Sequence, residues 1–208
     1  MHSALRPLLR RFRPAGMLAA IASIILCAVT RSSLESSMAS HMLLQMPLLI
    51  AAGVFLQAVM PERAYLSILR QHWRICDQYG VCSLLAILLI ATYWMIPISV
   101  ERAVTSTRFD VLKFLALLIA GTLLPSGLRR ANLIIQIFFI GNLCGMMAII
   151  GIQYQDSPQR LCNSYLLDDQ IATGIGLLCF SLTIPLLWIS THILHSAKSI
   201  TTGNNHDT

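Results

Sequence analysis

Apolar residues in this chain come in runs too long for strands and with little polar interruption. Six such runs cover residues 16–30, 38–60, 79–100, 111–127, 131–153 and 170–195. A membrane-spanning helix needs about 20 predominantly apolar residues, so each run is read as a span. The first and fourth are short and require tilt, local thinning or snorkelling ends. Only Leu128, Arg129 and Arg130 separate the fourth from the fifth, which predicts a tight helical hairpin. The expected fold is an all-α, polytopic membrane bundle of about six spans. It occupies residues 1–198 as one unit, with a polar, disordered tail at 199–208.

Composition agrees. Of the 208 residues 56% are hydrophobic and 12% charged, where a soluble domain carries about 25% charge. Little length remains for a soluble domain. The formal net charge of +6 does not make a nucleic-acid face, because the basic residues stand in short blocks between apolar runs. That pattern sets topology, and the expected partner is the lipid bilayer. Arg6, Arg10, Arg11 and Arg13 ahead of an apolar run would also suit a signal peptide. No small-x-small cleavage site closes the run, so it is read as a retained helix.

A cytoplasmic N-terminus puts Arg6, Arg10, Arg11, Arg13, Arg63, Arg70, Arg74, Arg129, Arg130 and Lys198 inside. Arg31, Arg102, Arg108, Lys113 and Arg160 are then outside. This two-to-one bias lies in short loops, where the positive-inside rule applies. Glu35, Glu101, Asp110, Asp156, Asp168 and Asp169 fall outside. Both termini are therefore expected in the cytoplasm, with the protein multi-pass in a bacterial inner membrane.

The chemically unusual residues gather toward the outer face. Ser32 and Glu35, just after Arg31, have capping-box spacing. Glu35, Met38, His41 or Met42, and Gln45 then recur every three or four residues, on one helical face. Polar groups inside a membrane are costly in lipid, so this stripe should face protein or a water-filled cavity. Imidazole and thioether ligands suit copper, with thioethers favouring Cu(I). A copper reading uses His41 with Met38, Met42 or Met46, and Glu35 beside them. Packing alone also accounts for a hydrogen-bonded histidine among flexible methionines, and Glu35 serves equally as a helix cap.

A second cluster lies between the fifth and sixth runs: Arg160, Cys162, Asn163, Tyr165, Asp168 and Asp169. Arg160 has Asp168, Asp169 or Glu35 as possible ion-pair partners. The two aspartates also suit the start of the sixth helix, where its dipole favours acids. Tyr93 and Trp94 fit an interfacial aromatic belt, and Met95 is near enough in sequence to join an outer thioether cluster. Cys27 and Cys162 are both placed outside, where they would either pair or supply thiolates. His72, His192 and His195 fall on the opposite side from His41. Walker, G-x-S-x-G and H-E-x-x-H signatures are absent, and no enzymatic reaction is read from the chain. The centres of the spans hold almost no charge, which disfavours an ion pathway.

The run Ser40-His41-Met42-Leu43-Leu44-Gln45-Met46-Pro47-Leu48 resembles the His-Met-x-x-His stretch of CtaG-type membrane proteins, with Gln45 standing at the second histidine. That family is associated with assembly of copper-containing cytochrome c oxidases. The chain also resembles small proteobacterial inner-membrane proteins without a defined activity. That likeness is carried by Leu34-Glu35-Ser36-Ser37-Met38 with His41-Met42, by Tyr93-Trp94-Met95-Ile96-Pro97, and by Arg160-Leu161-Cys162-Asn163 with Tyr165-Leu166-Leu167-Asp168. The first resemblance implies an accessory protein that assembles, or handles copper for, a copper-dependent membrane oxidase. Copper is then the implied cofactor and the oxidase complex the implied partner. The alternatives are a non-catalytic structural subunit of a larger membrane complex, with Gly141 and Gly145 at its interface, and a small transporter or channel.

Overall fold

The computed structural model describes residues 2–59 and 77–204, with side chains described from 16 to 58, from 77 to 191 and at 193. Arg63, Arg70, His72, Arg74 and Cys76 lie outside the described residues, as do the side chains of the N-terminal arginines, His192, His195 and Lys198. Everything regular among the described residues is helical. The elements are α1 (His2–Val29), α2 (Arg31–Leu34), α3 (Met38–Ser40), a π turn (His41–Gln45), α4 (Met46–Val59), α5 (Val81–Met95), α6 (Pro97–Thr105), α7 (Thr107–Arg130), α8 (Leu133–Asp156) and α9 (Leu167–Asn204). Helix α9 thus runs into the segment read as a polar tail, and residues 205–208 lie outside the described residues.

Four helical segments among the described residues are long and apolar enough to cross a membrane: Met38–Ala58, Thr107–Arg130, Leu133–Asp156 and Leu167–Thr191. At about 1.5 Å per residue, 24 residues reach beyond the roughly 30 Å hydrocarbon core. Helices α5 and α6 make a fifth span only if taken together, and they are bent by 75°. The expected uninterrupted span 79–100 is therefore broken. Ile96 is extended, with φ −74° and ψ 129°, and Pro97 opens α6. Proline pushes the residue before it out of the helical region, and it is well tolerated at a first helical position. Tyr154 of α8 donates its hydroxyl to the Met95 carbonyl at the break, at 2.7 Å. The apolar part of α1, Gly16–Val29, is shorter than the four. The chain is an all-helical protein with four to five span-capable helices, and their exposed faces are leucine, isoleucine and phenylalanine suited to lipid.

Helix α4 packs between α1 and α7, while α5 touches α7 and α8, and α8 lies along α9. The expected hairpin of the fourth and fifth spans has its tight turn, but α8 packs chiefly on α9 rather than on α7. Two glycine contacts set these pairings. A Cβ on Gly121 would strike the Ile50 carbonyl oxygen, and one on Gly53 would strike that of Leu118. Gly151 and Gly174 meet in the same way between α8 and α9. Gly141 and Gly145, the G-x-x-x-G pair, have open space where a Cβ would stand. At the end of the bundle where α5 begins, buried Asp77 accepts from the Ser83 amide at 3.0 Å and its hydroxyl at 2.5 Å, and from Arg130 at 2.9 Å. This joins the start of α5 to the end of α7.

Candidate functional site

The opposite end of the bundle holds a buried polar centre built around Lys113, whose side chain is fully enclosed. Four acceptors surround its ammonium. Glu35 Oε1 lies at 2.8 Å, His41 Nε2 at 2.9 Å, Gln45 Oε1 at 3.0 Å and Asp110 Oδ1 at 2.9 Å. Arg31 closes the cluster from a position about one-third exposed, with Nε at 3.0 Å from Glu35 and a terminal nitrogen at 3.1 Å from Asp110. With Lys113 and Arg31 facing Glu35 and Asp110, the formal charges balance.

Local helix geometry explains the convergence. The Met46 amide reaches back to the His41 carbonyl, an i to i+5 bond that widens the turn between α3 and α4. Pro47 follows, and it has no amide proton to offer the regular ladder. In the widened turn His41, Met42 and Gln45 are all buried, as is the next residue, Met46. His41 and Gln45, four residues apart across this turn, both reach Lys113. Insertions of this kind recur at functional positions in helices.

An ammonium has protons and no acceptor, so Lys113 donates to His41 Nε2. The imidazole proton therefore resides on Nδ1 and is donated to the Tyr165 hydroxyl, 2.8 Å away. Burial raises the Tyr165 phenol above its ordinary range, with the charge of Glu35 adding to the effect. Tyr165 thus remains a hydroxyl and links the loop after α8 to the centre. Gln170 secures that loop, accepting from the Leu161 amide at 2.8 Å and donating to the Tyr154 carbonyl at 3.0 Å.

Layers beneath the centre seal it. Going down α4 and α7, Gln45 meets Lys113, then come Leu49 and Leu117, then Gly53 against Gly121. Both leucines are almost fully buried, and the glycines bring the two backbones into contact. The polar centre consequently faces one end of the bundle, ~10 Å below the start of α3 by helical rise.

Sulfur borders it. Cys27, Met38, Met42, Met46, Cys144, Met147 and Cys162 belong to one buried core, with Met95 packed against it. Cys27 and Cys162 are free thiols. Burial raises the Cys162 thiol above its usual range, against an opposing hydrogen bond from the Ser164 backbone.

Of the residues singled out in the sequence, Arg31, Glu35, His41, Gln45 and Tyr165 come together. Met38, Met42 and Cys162 share the adjoining core. Asn163 and Asp168 are exposed, and Asp169 lies partly buried in the first turn of α9. Arg160 is exposed and makes no ion pair among the described residues, while Glu35 is taken by Arg31 and Lys113. Asp110 and Lys113 were read only as topology charges, yet they complete the centre. Their signal was a carboxylate and an amine three residues apart at the start of an apolar run, a spacing that puts both on one helical face.

Glu35 yields a pH test. Burial alone would raise its carboxyl, but the hydrogen bond and charge of Lys113, followed by Arg31, outweigh burial and hold it below the ordinary range. A depressed folded value gives stabilisation that is complete above the unfolded value of about 4.3 and disappears as pH falls through the folded value. Acid unfolding in detergent, followed by helical circular dichroism, should show a loss below about pH 4.3 that is smaller in Glu35→Gln. Identical acid limbs for the two proteins would remove Glu35 from this role.

No family model, curated protein or solved structure matches the chain.

Proposed function

We propose that this protein is an accessory factor of the bacterial inner membrane that assists assembly of, or copper handling by, a copper-dependent membrane oxidase. Six spans with both termini cytoplasmic would put the Lys113 end at the periplasmic face, as the two-to-one bias of basic residues requires. The observation that carries the reading is that buried His41 stands in sequence among Met38, Met42 and Met46, buried methionines of one core that also holds Cys27 and Cys162. Thioether, thiol and imidazole suit Cu(I). The resemblance of residues 40–48 to the CtaG-type stretch supports the same role.

Among the described residues no group of three His, Cys, Asp or Glu side chains is placed to hold a metal, so the copper reading rests on thioethers beside one imidazole. The soft set of His41, Met38 and Met42 would hold Cu(I), with Glu35 supplying negative charge beside it. Bound there, the ion would supply a cargo for delivery to the oxidase. A transporter would need a path past the Leu49–Leu117 and Gly53–Gly121 layers.

Anaerobic Cu(I) titration of the purified full-length protein in detergent tests the role. Stoichiometric binding by the wild type and loss in a His41→Ala, Met42→Ala variant are expected. Equal binding by both would reject this site, and no binding by the wild type would reject the copper role.

One observation favours a second reading, a structural subunit without a metal. Gly141 and Gly145 border a lipid-facing groove lined also by Leu88, Asn142, Met146 and Ile149, and an exposed amide at Asn142 is costly in hydrocarbon. Stable partners co-purifying from native membranes without metal would support this alternative.

A further inference from the structure

We propose that the corner between α6 and α7 binds an anionic phospholipid, with Arg102 and Arg108 holding the phosphate and one acyl chain laid along α7. The inference is independent of the copper reading. It starts from the path of the chain. Helix α6 turns 75° away from α5, so it runs near the membrane plane while α5 and α7 run across it. Ser106 is extended, with φ −131° and ψ 120°, and separates α6 from α7. Across this corner Arg102 reaches over the ring of Phe109, its guanidinium carbon 5.6 Å from the ring centroid. Arg108 adjoins Phe109 in the chain. One cation from each helix is thus brought to the first turn of a span-capable helix.

The local charge is uncompensated. Arg102 and Arg108 are both exposed, and neither makes an ion pair among the described residues. Two acids lie in the same stretch. Asp110 is taken by Arg31 and Lys113, within the centre whose charges balance. Glu101 pairs with neither arginine, so Arg102, Arg108 and Glu101 together leave one formal positive charge. A phosphodiester carries one negative charge and neutralises it. Guanidinium groups also match phosphate oxygens with two parallel hydrogen bonds. In a zwitterionic lipid the headgroup ammonium cancels the phosphate charge and meets two like charges here.

The lipid tail has its own surface. Val111, Leu115 and Ile119 follow Arg108 on one face of α7, and each is about half exposed. The opposite face carries the buried Asp110, Lys113, Leu117 and Gly121. From Arg108 to Ile119 the helix rises roughly 16 Å, close to half of the ~30 Å hydrocarbon core. The stripe therefore matches the acyl chain of a single leaflet, with the arginines at its headgroup end. Any arginine near a span end can snorkel to phosphate. The pairing of two guanidiniums at one corner is what adds a preference for a headgroup of net negative charge.

Native mass spectrometry of the full-length protein in detergent tests this. Phosphatidylglycerol and phosphatidylethanolamine with identical acyl chains are added together, and the wild type should retain phosphatidylglycerol preferentially. An Arg102→Gln, Arg108→Gln variant should retain it about tenfold less or weaker still, as expected for two basic residues at an anionic headgroup. Arg160→Gln removes another exposed arginine and should change retention little. Equal retention of the two lipids by the wild type, a result that needs no variant, would overturn the proposal. So would unchanged retention in the double variant, or an equal loss in Arg160→Gln. Displacement of the lipid by equimolar glycerol phosphate, which has no acyl chain, would assign the arginines to a free phosphate ester and overturn the lipid site.

Discussion

Lys113→Ala is expected to destabilise the bundle by about 3–5 kcal/mol, the range found when one partner of a buried ion pair is removed. The substitution strands two carboxylates that are less than one-tenth exposed, Glu35 and Asp110. Arg31 remains beside both, but it is about one-third exposed, and solvent screening limits what it can offset. Gln45 and His41 lose their donor in the same step. Unfolding by sodium dodecyl sulfate in mixed micelles, followed by circular dichroism, measures the change. A Lys113→Met, Glu35→Gln double variant removes one charge of each sign and should recover much of the loss, because the remaining Arg31–Asp110 pair is balanced. A loss below about 1 kcal/mol for the single variant, the value typical of surface ion pairs, would show that the lysine is not enclosed as described.

The membrane character of this chain was legible because hydrophobicity over 20 residues is a local property, and the apolar runs align closely with α4, α7, α8 and α9. What depended on tertiary contact was not legible. Pro97 was visible as an internal proline, but the 75° bend at Ile96 depends on how Tyr154 takes up the Met95 carbonyl at the end of α5 and how α6 packs on α7. The G-x-x-x-G at Gly141 and Gly145 drew notice, whereas the close helix contacts use Gly53 with Gly121 and Gly151 with Gly174, single glycines whose partners are distant in sequence. The polar stripe from Glu35 to Gln45 was read as one helical face, but the chain is extended at Ser37, so Glu35 caps the end of α2 and only Met38 to Gln45 lie on the following helical segment. Its regularity concealed the π turn, which no periodicity rule anticipates. Lys113 was hidden for another reason: a lysine near the start of a span reads as a snorkelling or topology charge. Only the three-dimensional meeting of α7 with the π turn converts it into the centre of a buried network.

Gly121→Ala is expected to cost about 3 kcal/mol, the upper part of the range for overpacking a filled interior. The added methyl group would overlap the Ile50 carbonyl oxygen, and backbone cannot rotate away as a flexible side chain would. Helices α4 and α7 must therefore separate. Gly53→Ala should behave similarly, since its methyl group meets the Leu118 carbonyl oxygen. The double variant should cost less than the sum, because one separation relieves both overlaps. Gly141→Ala and Gly145→Ala supply the contrast. Open space lies at both positions, and alanine gains up to about 1 kcal/mol of helix propensity over glycine, so neither should destabilise. The separation would also reach the polar centre, since Gly121 lies two turns below Lys113 on α7 and Gly53 two turns below Gln45 on α4. Widening the floor stretches the 3.0 Å bond between Lys113 and Gln45 and lets water approach from beneath. Gly121→Ala should then lose stability and also raise amine acylation of Lys113 under conditions where the fold persists. A Gly121→Ala protein as stable as the wild type would mean that the glycine contact does not set the distance between α4 and α7.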